Sequence, residues 1–119
     1  MILVDTSIWI DHFRAADPQL VTLLNKGEVL AHPFVIGEVA LGSVAKRADV
    51  LRLLDNLPKA ISASHDEVMI FIARQRLANT GVGYVDAHLL ASAALTPSAA
   101  LWSRDKTLRA AATRCALAP

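Results

Sequence analysis

Four acidic residues stand where acids are uncommon, each at the end of or inside an apolar segment. Asp5 ends the run Met1-Ile2-Leu3-Val4 and is followed by Thr6-Ser7. Glu38 lies inside Pro33-Phe34-Val35-Ile36-Gly37-Glu38-Val39-Ala40-Leu41, Asp86 inside Tyr84-Val85-Asp86-Ala87-His88-Leu89-Leu90, and Asp105 follows Leu101-Trp102-Ser103-Arg104. A carboxylate is seldom buried unless it is paired or bound to a cation. Four of them in apolar settings point to one shared site. The mutual repulsion of such a cluster is tolerable when a divalent ion neutralises it. Oxygen-only ligands favour Mg²⁺ or Mn²⁺ over softer metals.

Each acid also has a plainer role open to it. Asp5 is positioned to cap the helix that follows it. Asp105 suits a turn. Glu38 and Asp86 would satisfy themselves in buried ion pairs with Arg104 or Arg109. What sets Asp86 apart is its place at the head of an inward stripe, with Leu89, Leu90 and Ala93 following at i+3, i+4 and i+7. Glu38 repeats the pattern with Val35 and Leu41 three residues to either side.

The elements needed to bring the four together are strands alternating with helices. Ile2-Leu3-Val4 reads as a central parallel strand buried on both faces. Helices are expected over Ser7–Phe13 and from Asp17-Pro18 to Lys26-Gly27, then a strand at Glu28–Ala31. His32-Pro33 opens a helix over Phe34–Val44, and Lys46–Leu57 forms another with Val50, Leu53, Leu54 and Leu57 on one face. Ala60–Ala63 reads as a short strand. Ser64-His65-Asp66-Glu67 is a capping box opening a helix over Asp66–Ala78. Tyr84–Leu95 is a helix, Ala99–Trp102 a strand, Lys106–Thr113 a helix and Cys115–Leu117 an edge strand. Such alternation predicts an α/β fold, a three-layer α/β/α sandwich around a mostly parallel sheet. In an open α/β sheet, functional groups gather beyond the carboxyl ends of the strands at a topological switch point, which suits Asp5 and Asp105. Helix N-termini lower the cost of a carboxylate, which suits Glu38 and Asp86.

The chain has 119 residues, 54% of them hydrophobic, enough for one domain over residues 1–119 with a real core. A net charge of +1 neither favours nor excludes a nucleic-acid partner. Cys115 stands alone, which excludes an internal disulfide framework and a cysteine zinc site, and fits a reducing compartment. The start lacks a basic n-region, and the longest stretch without Asp, Glu, Lys or Arg is interrupted by Thr96-Pro97-Ser98. A cytoplasmic protein with no membrane span is expected. Charged residues make up only 19%, which points to an apolar partner surface. The four histidines, His12, His32, His65 and His88, show no paired metal spacing and read as caps or surface residues.

Taken together, Ile2-Leu3-Val4-Asp5-Thr6-Ser7, the helical Glu38, Tyr84-Val85-Asp86-Ala87-His88-Leu89-Leu90-Ala91 and Leu101-Trp102-Ser103-Arg104-Asp105 resemble the PIN domain. The length and compact spacing resemble its VapC-type toxins, the ribonuclease half of bacterial type II toxin–antitoxin pairs. The resemblance implies a metal-dependent endoribonuclease acting on structured RNA such as tRNA or rRNA and inhibited by a cognate antitoxin, working as a homodimer. By position it implies that Asp5, Glu38, Asp86 and Asp105 bind Mg²⁺ or Mn²⁺, with Thr6 or Ser7 and Ser103 as the small hydroxyls beside them. Many family members carry another acid just after the position of Asp105, where this chain has Lys106 and Thr107. Arg104, Lys106 and Arg109 are then candidates for phosphate contact. The family's antitoxin groove maps to the early helices, with Trp9, Ile10, Phe13, Leu20, Leu23 and Leu24.

Competing classes fit less well. A receiver-like phosphoacceptor would use Asp5 and Lys106, but it needs an acidic pair near Asp5 and a phosphoacceptor Asp ending a middle strand. Asp11 lies too far along, and Asp49 and Asp55 fall in a helical pattern. A haloacid-dehalogenase-like phosphatase needs an Asp where Ser7 stands. A P-loop enzyme needs a Gly-rich loop that is absent. A non-nuclease α/β binding domain would leave four inward acids unexplained.

Overall fold

Ile2–Val4 forms β1, the middle strand of a three-stranded parallel sheet in the order β2-β1-β3, as its unbroken apolar run requires. The computed structural model describes all residues, Met1 to Pro119. The flanking strands are β2 (Val29–Leu30) and β3 (Ala100–Trp102), with Ile2 opposite Val29 on one side and Ala100 on the other. The fold is therefore α/β with a parallel sheet, as expected, and every pairing in it is parallel.

Seven helices surround the sheet. They are α1 (Thr6–Arg14), α2 (Pro18–Asn25), α3 (Pro33–Leu41), α4 (Arg47–Asn56), α5 (His65–Arg74), α6 (Tyr84–Leu95) and α7 (Lys106–Arg114). Caps set many of their starts. Asp17 accepts from the Gln19 and Leu20 amides ahead of α2, and Ser64 and Glu67 complete the capping box of α5. His32 caps α3 through Nδ1, which accepts the Phe34 amide at 3.0 Å. Its Nε2 lies 3.1 Å from Ser92 Oγ, tying α3 to α6.

Helix α6 is the central pillar. Its residues Ala87 to Ala93 are all buried, so it has no polar face over that stretch. Leu89 and Leu90 join Leu3, Val4, Ile8, Trp9 and Leu101 in the core. Burying a leucine fully is worth about 1.5–3 kcal/mol, so this inward face anchors Asp86 at its head. Trp9 packs on Phe13 with ring centroids 5.8 Å apart, and its Nε1 is a buried polar atom without a partner.

Four local expectations are corrected. Helix α5 ends at Arg74, not Ala78, because Arg76 turns left-handed at φ 52°. The Leu77 amide then bonds Ile72 O and the Arg76 amide bonds Ala73 O, a Schellman turn built without glycine. Cys115–Leu117 is no strand. Cys115 caps α7, Ala116 is left-handed at φ 59°, and a single bond from the Leu101 amide to Leu117 O covers the β3 edge. Ala60–Ala63 contributes no strand either; a lone parallel bridge joins Ala31 and Lys59. His88 is buried inside α6, neither a cap nor a surface residue, whereas His32 is the buried cap of α3.

Arg76 is exposed and its side chain makes no hydrogen bond, so the left-handed backbone there is uncompensated. Arg76→Gly should raise unfolding free energy by about 0.5–1 kcal/mol. A urea titration showing no gain, or a loss, would refute that account of the α5 terminus.

Candidate functional site

The site is built at the carboxyl end of β1, where the chain has gone to β2 on one side and β3 on the other. This is the switch point of the sheet. The Asp5 amide donates to Trp102 O at 2.9 Å, which continues the β1–β3 ladder past the strand end and fixes where the Asp5 side chain begins. Asp5 occupies the N-cap position of α1 but makes no capping hydrogen bond. Its Oδ2 instead accepts the hydroxyls of Ser7 at 2.8 Å and Ser103 at 2.7 Å. The capping role open to Asp5 in the sequence is therefore not the one it plays. Asp5 is nearly buried, at 6% exposure.

Glu38 lies in the second turn of α3, and its Oε1 accepts the Thr6 hydroxyl at 2.7 Å. It is exposed and Leu41 is 90% exposed, so only Val35 of its expected inward stripe faces the core. Asp105 follows β3 by way of Ser103 and Arg104. It caps α7 through Oδ1, which accepts the Leu108 amide at 2.8 Å, so the local role open to it is real. The Asp105 amide donates to Ser103 Oγ at 3.0 Å. Asp86 is the third residue of α6 and is half-buried.

These placements converge electrostatically on Asp86. Its carboxyl is pushed up from an ordinary 3.8 to about 6, first by burial, then by the charges of Asp5, Asp105 and Glu38. None of the four carboxylates belongs to any of the three ion pairs in the molecule. The buried pairs with Arg104 or Arg109 that the sequence left open are thus absent for Glu38 and Asp86. Asp5, Glu38 and Asp105 each spend one carboxylate oxygen on a protein donor and leave the other free. No hydrogen bond contributes to the shift at Asp86. Hard oxygen donors, uncompensated negative charge and unspent oxygens are the chemistry a divalent cation requires. The four are not drawn into a closed ligand set, since no three acidic, histidine or cysteine side chains meet the spacing of a preformed metal cage. Side-chain adjustment and water would complete a coordination shell, as is usual for Mg²⁺.

Arg104 departs from its expected role. Its guanidinium bonds two other acids, with Nη1 on Asp11 Oδ2 at 2.6 Å and Nη2 on Asp17 Oδ2. Neither Asp11 nor Asp17 stood out as an Arg104 partner in the sequence, because nothing in their spacing brings residues so far apart together. Lys106 and Arg109 lie on exposed positions of α7 and make no ion pair. Of the expected groove residues, Trp9 and Leu20 are wholly buried. What remains open is a depression of about 340 Å³ between α1, the end of α2 and α4, lined by Trp9, Phe13, Leu24, Val50 and Leu53.

Comparison with known proteins follows the same lines. The PIN domain profile matches residues 2–113. The protein named Ribonuclease VapC32, from two strains of Mycobacterium tuberculosis, is 55% identical over 111 residues, covering 93% of this chain and 90% of the relative. No helix of this chain is long and apolar enough to cross a membrane.

Two groups titrate in the same range with opposite effects. Asp86 holds a proton more tightly in the folded state, so its stabilising contribution is full at low pH and is lost as pH rises from 3.8 to about 6. His32 is lowered from 6.5 to about 4, by burial and then by His88, so stability is lost as pH falls through that window. Asp86→Asn leaves only the second effect. In chelator, the variant's melting temperature should climb more steeply than wild type between pH 4 and 6.5 and should exceed it at neutral pH. Parallel melting curves for the two proteins would show that Asp86 is not crowded by the other acids.

Proposed function

From its place in the PIN-domain family, to which this chain belongs, we propose that it is a metal-dependent endoribonuclease, the toxin of a type II toxin–antitoxin pair, cutting structured RNA such as tRNA or rRNA. The observation that supports this reading is that Asp5, Glu38 and Asp105 add their charges to burial in raising the Asp86 carboxyl, while none of the four pairs with a cation of the protein. Asp5, Glu38, Asp86 and Asp105 are the residues that would hold Mg²⁺ or Mn²⁺. When bound, such an ion supplies a nucleophilic water at neutral pH and charge to stabilise the phosphoryl oxygens.

The chain's own residues prepare for that. Ser7 and Ser103 hold Oδ2 of Asp5 and leave Oδ1 without a protein donor. Thr6 orients Glu38 in the same way. The Asp105 cap spends Oδ1 on the Leu108 amide and leaves Oδ2 without a protein donor. Asp86, protonated below about pH 6, must lose its proton to serve as a ligand, so metal affinity falls as pH drops through that value. Lys106 and Arg109 are free to meet phosphates along the exposed side of α7.

Two further surfaces suit two protein partners. The depression beside Phe13 and Leu53 fits an apolar segment of an antitoxin, in keeping with helix-in-groove recognition. The outer face of α3 fits a second copy of the chain. Leu41 is 90% exposed there, Phe34 and Val85 flank it, and a Cβ on Gly37 would meet nothing. A mid-helix glycine with no contact of its own costs about 1 kcal/mol relative to alanine, which close approach of another backbone would offset.

Two experiments test these statements. Purified protein should cut structured RNA with Mg²⁺ or Mn²⁺ and stop in EDTA. Asp5→Asn should keep its fold and lose more than the about 10–100-fold that removing an outer partner of a metal site costs. Cleavage that survives chelation ends the metal proposal; an unfolded Asp5→Asn makes Asp5 structural. For the partners, Leu53→Glu should weaken antitoxin binding at unchanged mass, and Leu41→Glu should halve the mass in light scattering with antitoxin affinity kept. The reverse pattern would exchange the two surfaces.

A further inference from the structure

The Ser103-Arg104-Asp105 loop between β3 and α7 has no backbone ladder of its own. The Arg104 amide donates to Ser7 Oγ at 3.0 Å and the Asp105 amide to Ser103 Oγ. Both hydroxyls in turn donate to the same Asp5 oxygen. The loop and the Asp5 side chain are therefore one hydrogen-bonded unit, and a shift of the loop moves the partners of Asp5.

Arg104 is what ties this unit to the scaffold. Ser7 and Asp11 lie one turn apart on the same face of α1, at i and i+4. The Arg104 backbone holds the first and its guanidinium the second, so this residue straddles a turn of the helix. Its other nitrogen reaches Asp17, which is itself fixed. Asp17 Oδ1 caps α2 on the Gln19 and Leu20 amides, and the Asp17 amide donates to His12 Nδ1 at 3.0 Å. The fork geometry of a guanidinium suits two carboxylates on separate elements; a lysine offers one point charge. Arg104 and Asp11 are 41% and 48% exposed, so their pair adds little to global stability, whereas Asp17 is only 14% exposed and makes the firmer of the two anchors.

We propose that Arg104 is a positioning residue, a latch that pins the Ser103–Asp105 loop to α1 and the α1–α2 turn and so sets the relative places of Asp5 and Asp105. It acts through Asp11 and Asp17 and touches no substrate. The inference rests on the metal-dependent nuclease reading for its effect on activity, while the latch itself is a property of the metal-free chain.

The test compares Arg104→Ala, Arg104→Lys and Asp11→Asn with wild type. In chelator, hydrogen exchange at the Arg104 and Asp105 amides should quicken in all three, and in Asp11→Asn, which removes only the exposed pair, the melting temperature should stay near wild type. Calorimetric Mn²⁺ affinity should fall about tenfold in Arg104→Ala, the scale of losing an outer partner at a metal site. Arg104→Lys and Asp11→Asn should fall in between. For RNA cleavage, kcat should drop in parallel with KM unchanged. Unchanged exchange and unchanged Mn²⁺ affinity overturn the proposal. So does a raised KM with a shallower salt dependence at unaltered Mn²⁺ affinity, because that is the signature of a phosphate contact. Asp11→Asn improving cleavage would likewise overturn it, since freeing Arg104 would then help. If wild type neither binds Mn²⁺ nor cuts RNA, the nuclease reading falls and the exchange measurement still decides the latch.

Discussion

Repulsion among carboxylates that receive no cation from the protein is the constraint around which this structure is arranged. At Asp86 it adds to burial, the larger cause, and the charges of Asp5, Asp105 and Glu38 push its carboxyl further above the ordinary range. A fold meant only to be stable would have turned a basic side chain inward. Here Arg104, next to Asp105 in the chain, is spent on Asp11 and Asp17, and the acids receive hydroxyls instead. Hydroxyls orient a carboxylate and satisfy one oxygen without cancelling its charge. The negative charge is thereby left uncancelled by the protein.

Holding such a field in place falls to the apolar scaffold. Asp5 leaves a strand paired on both sides, and its own amide stays in the ladder. Asp86 heads a helix buried over seven successive residues. Neither element can rotate its acid away without exposing core. The one local cost visible elsewhere in that core is the unpartnered Trp9 Nε1, worth about 1–3 kcal/mol, against a large indole wholly removed from water.

The molecule's apolar surfaces lie around its chemistry and meet it at one residue, Glu38. The acids open at the strand ends, the depression near Phe13 and Leu53 lies between α1 and α4, and the outer face of α3 carries Leu41 and Phe34. Glu38 borders both the α3 face and the acids, so a partner on that face would sit beside the site. This arrangement favours a chain whose chemistry and associations influence one another.

Much of this was legible in the residues alone. The all-apolar Ile2-Leu3-Val4, the cap signals at Asp17 and Ser64, and the inward stripe from Asp86 through Ala93 each encode a local preference, and local preferences survive in the fold. The misread ends have local causes too, but subtle ones: Arg76 and Ala116 adopt left-handed backbones that sequence rules reserve for glycine or asparagine. Only the tertiary structure decided the rest. Whether Asp5 caps a helix or takes two hydroxyls depends on Ser103, 98 residues away. Whether Arg104 meets phosphate or carboxylate depends on Asp11 and Asp17, 93 and 87 residues away. Pairings across such separations carry no periodicity or spacing signal, because they are set by how the sheet and helices pack and not by the chain between them.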